Sequence, residues 1–283
     1  MPDTDTVTTL AGRSVHRMGF GAMQLPGPGV FGPPKDRATA LAILRRVVDA
    51  GVNHIDTAQF YGPDVANELI REALHPYPDD LVLVSKVGAQ RDGTGQWLPA
   101  QRPEELRAGI EANLASLALD QVPVVNLRRH HESDVPFDEQ LAAMVALRDE
   151  GLIGGVGLST VSLDEYHQGM AATPIACVQN AFSVADRSDQ DVFDACVADG
   201  VPYVPYFPLG SAFVPDKPVL NHPAVVASAE RLGATPAQVA LAWLLQRAPN
   251  VLLIPGTSSL EHLEQNLAAV EVALDQEALV ALG

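Results

Sequence analysis

One phrase recurs along the chain. Asp49-Ala50-Gly51-Val52, Glu150-Gly151-Leu152-Ile153 and Asp199-Gly200-Val201-Pro202 each read as a helix end, a glycine and the start of a strand. Glycine tolerates the left-handed backbone that closes a helix, so it marks the join. A helix-glycine-strand phrase repeated across the sequence points to βα units in series.

The units can be laid out from their periodicity. Val7 to Phe20 reads as a short hairpin, with Gly12-Arg13 near its turn, leading into a first strand at Met18-Gly19-Phe20. Strands follow at 52–56, 81–86, 122–127, 153–158, 175–179, 201–206 and 251–254. Between them lie helices. Arg37 to Ala50 sets Leu41, Leu44 and Val48 on one face. Val65 to Leu74 is the second, and a third opens at Pro103, with Glu104 and Glu105 in its first turn. Others span 137–150, 162–170, 190–199, 223–232 and 236–246, the last capped by Thr235. Helices at 259–268 and 275–282 close the chain.

Eight strands in 283 residues average about 35 residues per step, the size of one βα unit. No linker or shift of composition marks a boundary, so 1–283 reads as one domain. The expected fold is α/β, a closed (β/α)8 (TIM) barrel with an N-terminal β-hairpin. A doubly wound sheet is the competitor. It would carry Gly-x-Gly-x-x-Gly after its first strand, whereas Gly19-Phe20-Gly21-Ala22-Met23-Gln24 lacks the third glycine.

Charge narrows the partners. A net charge of −17 argues against nucleic acid or an anionic membrane surface. No apolar run reaches the ~20 residues of a membrane span, and Met1 to Thr6 is too polar for a secretory signal. The two cysteines, Cys177 and Cys196, are no disulfide framework and fit reduced thiols in a cytoplasm. Oligomeric state leaves no trace.

In a barrel the site lies at the C-terminal ends of the strands. Those ends carry Asp56 with Tyr61 beyond it, Lys86, Arg128 followed by Arg129, His130 and His131, then Ser159-Thr160, Gln179-Asn180, Tyr206 and Thr257-Ser258. A lysine closing an apolar strand needs a partner, because a lone buried ammonium is costly, and Asp56 can supply one. The same cation beside Tyr61 would ease loss of the phenol proton and make it a general acid toward a carbonyl oxygen. A structural Asp–Lys pair beside a core tyrosine fits the spacing equally well. Metal and hydrolase motifs are missing: there is no His-Glu-x-x-His, no phosphate loop and no Gly-x-Ser-x-Gly.

An ordered set of phrases adds to this. Gly19-Phe20-Gly21-Ala22-Met23, His54 to Gly62, Val84-Ser85-Lys86, Gly157-Leu158-Ser159, Val178-Gln179-Asn180, Tyr206-Phe207-Pro208-Leu209 and Ile254 to Ser258 with Asn266 beyond resemble the aldo-keto reductase family. The resemblance covers nearly the whole chain. It implies reversible reduction of aldehydes and ketones with a nicotinamide dinucleotide, NADPH before NADH, bound without a Rossmann domain. It implies Tyr61 as general acid, tuned by Lys86 and Asp56. Cofactor contacts are implied for Gly21, Ala22, Met23, Asp56, Ser159, Thr160, Gln179, Tyr206, Phe207, Pro208 and Leu209. After the last strand they are implied for Ile254, Pro255, Gly256, Thr257, His262, Gln265 and Asn266.

The chain departs from the family in three places. Arg128 stands where a histidine is usual, and Thr160 where asparagine is common. Gly256 and His262 replace a lysine and an arginine that usually hold the 2′-phosphate. An arginine can donate to a carbonyl oxygen but cannot relay a proton, so Arg128 is expected to take the electrostatic part of the role. His130 or His131 would serve if the register slips. The replacement also keeps a second reading open, a nicotinamide-binding regulatory or sensor protein with little turnover. Substrate choice lies in the loops 26–34, 89–99 and 207–218, with Trp97 and Phe213 as candidate walls. With the sequence ending just after Leu282, an open site accepting small aldehydes is expected.

Overall fold

The computed structural model of the protein describes residues 7–130, 132–210 and 216–283. His131 and Phe213, both named above, lie outside the described residues.

Eight parallel segments follow one another around a ring. Six form one parallel sheet in chain order: Phe20–Gly21, His54–Asp56, Val82–Val87, Val124–Arg128, Val156–Ser159 and Ile175–Gln179. Isolated parallel bridges continue it, from Val178 to Tyr203, from Tyr203 to Val251 and from Leu253 back to Met18. The amides of Val204, Leu252 and Gly19 donate across these joins at 2.7, 2.9 and 2.7 Å. The expected strands at 201–206 and 251–254 therefore need correction: both are bridge-paired segments rather than full strands. Pro202 and Pro205 have no N–H to give to a ladder. The segment at 251–254 has this broken one as its neighbour on one side.

The glycine joins form as the sequence requires. Gly51, Gly151 and Gly200 have φ of 85°, 85° and 69°. Each lets the chain turn from a helix into the next segment, with Val52, Leu152 and Val201 donating back to carbonyls of that helix. Helix bounds agree with the reading to within a residue or two. Arg37–Asp49 is capped by Asp36, which accepts from Thr39 N at 3.0 Å. Val65–Leu74, Gln190–Asp199 and Pro223–Leu232 fall where expected.

Two hairpins flank the ring. Val7–Leu10 pairs antiparallel with Arg13–His16. Its buried Leu10 and Val15 join one apolar cluster with Val82, Val84, Val124, Val204 and Leu252, closing the end from which the strands start. The second hairpin replaces part of the expected loop 89–99: Ala89–Arg91 pairs with Trp97–Pro99. Its turn is organised by the Asp92 carboxylate, which accepts from the amides of Thr94 and Gln96 at 2.8 and 2.9 Å. Strands of three residues are too short for alternation to reveal.

Successive strand residues point to opposite faces, and the burial clusters follow that rule. Val82 and Val84 belong to the interior cluster, while Leu83 and Val87 pack outward against helices. Val124 is interior, while Val125 and Leu127 pack outward. Asp56, Lys86, Arg128, Ser159 and Gln179 share the inward parity and end their strands, so the backbone sets them around one mouth.

Candidate active site

Register holds this layer together. Asp56 pairs with Val84, Lys86 with Asn126, and Arg128 and Gln179 each with Ser159. Lys86, 3% exposed, donates through Nζ to Asp56 Oδ1, and to Thr57 O at 3.0 Å. Gln179 Nε2 donates to the other oxygen, Asp56 Oδ2, at 2.8 Å. Lys86 Nζ also stands 5.0 Å from the Tyr61 ring centroid. Burial alone would lower the Lys86 pKa. The charge of Asp56, helped by the Tyr61 hydroxyl, outweighs that and raises it. The ammonium is thus held charged beside the phenol.

Tyr61 itself is 3% exposed and packs edge-on to Phe60, with centroids 5.4 Å apart. Gly62 follows at φ 114°, a backbone state strained for any side chain. A Cβ there would also lie 2.3 Å from Val65 Cβ. The turn that carries Tyr61 is set by that glycine.

A buried polar tie stands behind the layer. Thr57 Oγ1 donates to Asn67 Oδ1 (2.8 Å), Asn67 Nδ2 to Asn113 Oδ1 (2.9 Å), and Ser85 Oγ to Asn113 Oδ1 (2.5 Å). All four residues are fully buried. The tie fastens helices Val65–Leu74 and Pro103–Leu117 to the residues flanking Asp56 and Lys86.

Two chambers open over the layer and meet at Tyr61, Met23, Gln179, Tyr206 and Phe207. The shorter chamber, about 350 Å³, adds Lys86, Trp97 and Arg128. The longer, about 340 Å³, runs from Gly21 and Asp56 past Pro208 and Leu209 to Ile254, Pro255, Gly256, Thr257 and His262. A Cβ on Gly21 would lie 2.5 Å from Ile254 O, and one on Gly256 2.5 Å from Gly21 O. Glycine at both positions keeps this wall thin.

The structure thus brings most of the sequence-selected residues onto two joined walls. Ala22, Ser159, Thr160, Gln265 and Asn266 are not on them. Ser159 and Thr160 reach the chambers indirectly: their hydroxyls are 3.5 Å apart, and Thr160 Oγ1 is 3.4 Å from Tyr206 OH. Thr160 and Phe207 both hold positive φ without being glycine, 60° and 55°, a strain that concentrates at functional sites. Gln265 is engaged with Glu261 at 3.4 Å, and Asn266 is buried. Arg129, one residue past Arg128, has the outward parity and pairs with Glu165 at 2.7 Å. His130 lines neither chamber.

Sequence reasoning passes over Gln24, Gly210, Lys217 and Leu220, which share the longer chamber's wall with Ser258. In the sequence Lys217 is a loop lysine like any other, so only its position reveals it. At the chamber's far end Ser259 caps helix Leu260–Leu267, accepting from His262 N at 3.3 Å. Amides at the start of a helix, two hydroxyls, a lysine and a histidine suit an anionic group. Those features fit the phosphates of a dinucleotide, and the deep end at Gln179 and Tyr206 fits a flat polar ring.

Comparison with known proteins agrees in kind. Residues 17–282 match the model of the aldo/keto reductase family. The chain is 48% identical over 279 residues to pyridoxine 4-dehydrogenase of Escherichia coli (strain K12), covering 97% of this chain and 96% of that one. Among solved structures it is similar to a thermostable aldo-keto reductase in complex with the inhibitor epalrestat. That match has a TM-score of 0.82 and 29% identity over 98% of both chains. It is also similar to an aldo/keto reductase of Klebsiella pneumoniae in complex with NADP and acetate. There the TM-score is 0.80 and the identity 27%, over 98% of this chain and 94% of the other.

Proposed function

The chain belongs to the aldo/keto reductase family and is an NAD(P)H-dependent oxidoreductase, and on that premise we propose that it reduces aldehydes and ketones with NADPH, using Tyr61 as general acid. The reading takes residues 1–283 as one (β/α)8 barrel. The observation that carries it is the buried Asp56–Lys86 pair held beside Tyr61, where the two chambers meet.

When bound in the longer chamber, a nicotinamide dinucleotide supplies hydride to the carbonyl carbon. The protein's own part is positioning and proton supply. Tyr61 donates its phenolic proton to the carbonyl oxygen as charge develops there. The Lys86 ammonium stabilises the phenolate left behind, and Asp56 fixes that ammonium. Arg128 donates to the developing oxyanion from the shorter chamber. Gln179 would hold the carboxamide, with Ser159 and Thr160 acting through Tyr206, which would pack against the ring. Phe207, Pro208, Leu209, Gly21, Met23 and Asp56 line the nicotinamide end, with buried Ala22 between Gly21 and Met23 in the chain. Ile254, Pro255, Gly256, Thr257 and His262 form the adenosine end, with Lys217 added as a cation, and Gln265 and Asn266 follow on the helix beyond it. The Escherichia coli relative's name brings pyridoxine, and the 4-aldehyde that its oxidation yields, forward as the first substrate pair to try.

The test follows NADPH absorbance with a panel of aldehydes including pyridoxal. Steady oxidation is expected, slowed roughly 10²–10⁴-fold by Tyr61→Phe, the span usual for one general acid. NADPH binding should be unchanged in that variant and tighter than NADH binding. Full turnover by Tyr61→Phe would sink the acid assignment, and tighter NADH binding would reverse the cofactor choice.

A further inference from the structure

We propose that the chamber beside Tyr61 selects carbonyl compounds that carry an anionic oxygen, a carboxylate or a phenolate, and that Arg128 reads that group. The inference rests on the carbonyl-reductase reading above and names the substrate class for the same site.

The chain holds 35 Asp and Glu against 18 Lys and Arg. Seven of the fifteen arginines, Arg37, Arg46, Arg102, Arg107, Arg129, Arg148 and Arg231, form an ion pair, so it is the place of an unpaired one that matters. Arg128 forms none among the described residues, although it ends a strand at the chamber wall. Asp56 is the one carboxylate on the wall of either chamber among the described residues, and its two oxygens are taken by Lys86 and Gln179. Lys86 and Asp56 cancel. The chamber's net charge is then that of Arg128, positive inside a protein whose net charge is −17.

The strand end that carries the guanidinium is also held in place. Gln101 Nε2 donates to Arg128 O at 2.5 Å, fixing the strand end. The Arg128 guanidinium carbon lies 5.8 Å from the Trp97 ring centroid. Trp97 is steadied from its hairpin by Arg91, 4.0 Å from the same centroid. Arg91 is in turn tied to the carbonyls of Gly29, Val30 and Gly95 at 2.7 to 3.0 Å. A planar cation beside an aromatic wall matches a carboxylate or phenolate in two ways: the fork donates to its oxygens, and the indole packs against its flat body. A neutral aldehyde offers that cation no charge before the reaction, only its carbonyl oxygen.

The test compares isosteric pairs in the presence of NADPH. One arm sets 2-, 3- and 4-carboxybenzaldehyde against the corresponding carboxamides. A second sets 2-hydroxybenzaldehyde against 2-methoxybenzaldehyde above the phenol's pKa, which separates phenolate from carboxylate recognition. At least one anionic member should exceed its neutral partner in kcat/KM by about tenfold or more, mainly through KM. Arg128→Met lowers turnover of both members, because Arg128 also faces the oxyanion, but only loss of anion recognition brings their ratio to about one. Arg128→Lys should keep part of it. A wild-type ratio at or below one in both arms, or a ratio that survives Arg128→Met, overturns the proposal. If no aldehyde is turned over, the reductase reading fails by itself. The selectivity is then read from the dissociation constants of the same pairs for the NADPH-bound protein, followed by cofactor fluorescence. Tighter binding of an anionic member that Arg128→Met abolishes upholds the proposal, and equal binding of both members overturns it.

Discussion

His54 lies one inward step below Asp56 on the same strand, 1% exposed, with no hydrogen-bond partner for its Nδ1 among the described residues. Gly19 makes room for it: a Cβ there would come within 2.8 Å of that nitrogen. Burial lowers the His54 pKa from 6.5 to about 4, with Lys86 pushing the same way and Asp56 opposing. The sign of the effect on stability follows. Between pH 6.5 and 4 the unfolded chain binds a proton at this position that the folded chain refuses. Stability is therefore full above about pH 6.5 and falls as the solution is acidified toward 4, by about 3 kcal/mol if the whole shift is realised. Thermal unfolding at steps from pH 7.5 to 4.5 should show the decline, and His54→Gln should flatten part of it. An acid slope carried unchanged into the variant would remove His54 as its source. At this scale much is legible in the sequence. Asp56, Lys86 and Tyr61 are unusual residues in apolar surroundings, and each strand-end position follows from parity. Lys217 is not legible, because nothing local distinguishes a lysine over a cleft from one in solvent.

The Asn67–Asn113 tie shows what elements add. Helix Pro103–Leu117 opens with proline and two glutamates, and it presents Leu106, Ile110 and Leu117 to the core. Its apolar stripe is readable from spacing alone. Asn113 falls within that stripe, where sequence offers no reason for it. The reason lies 28 and 46 residues away: its carboxamide oxygen receives Ser85 and Asn67, and its nitrogen reaches Gly109 O at 2.8 Å. Partners so distant in sequence cannot be paired without the fold. Replacing Asn113 by leucine keeps the volume but leaves Ser85 buried without an acceptor and Asn67 with Ser116 Oγ as its remaining acceptor, at about 1–3 kcal/mol per lost partner. A loss of about 2 kcal/mol corresponds to a melting temperature lower by roughly 4–8 °C in a domain of this size. The tie also flanks Lys86, so kcat should fall with it while the dissociation constant for NADPH holds. A variant as stable as the parent would show the tie to be dispensable. The Ala89–Pro99 hairpin is hidden for a related reason, since its stability comes from an aspartate-capped turn and from Arg91 reaching back to Gly29 and Val30.

For the molecule as a whole, the decisive join is between the first and last parallel segments, and one residue secures it. Arg17, 7% exposed, donates from Nε to Val251 O at 3.1 Å and from one Nη to Leu245 O and Ala248 O at 2.5 and 2.6 Å. These contacts link positions more than 225 residues apart, beside the backbone bond from Leu253 N to Arg17 O at 2.8 Å. The ring of strands can be counted from the sequence, but its closure cannot. The two segments that complete it make only bridges, the first of them interrupted by Pro202 and Pro205, so a side chain supplies what the ladder lacks. Closing so long a loop costs entropy that only a well-bonded join offsets. Arg17→Met keeps the apolar stem and removes the guanidinium, leaving three carbonyls near the join without this donor. Stability should drop by about 2–4 kcal/mol, on the scale of one to three buried groups left unpaired. A denaturant titration should show this as a lower midpoint at unchanged slope, which marks a change in stability rather than in surface exposed. Arg17 lies at the end of the ring opposite Asp56 and Tyr61, so NADPH binding by the folded variant should equal that of the parent. An unchanged midpoint would assign closure to the backbone bridges alone, and weakened cofactor binding would mean that the join also shapes the mouth.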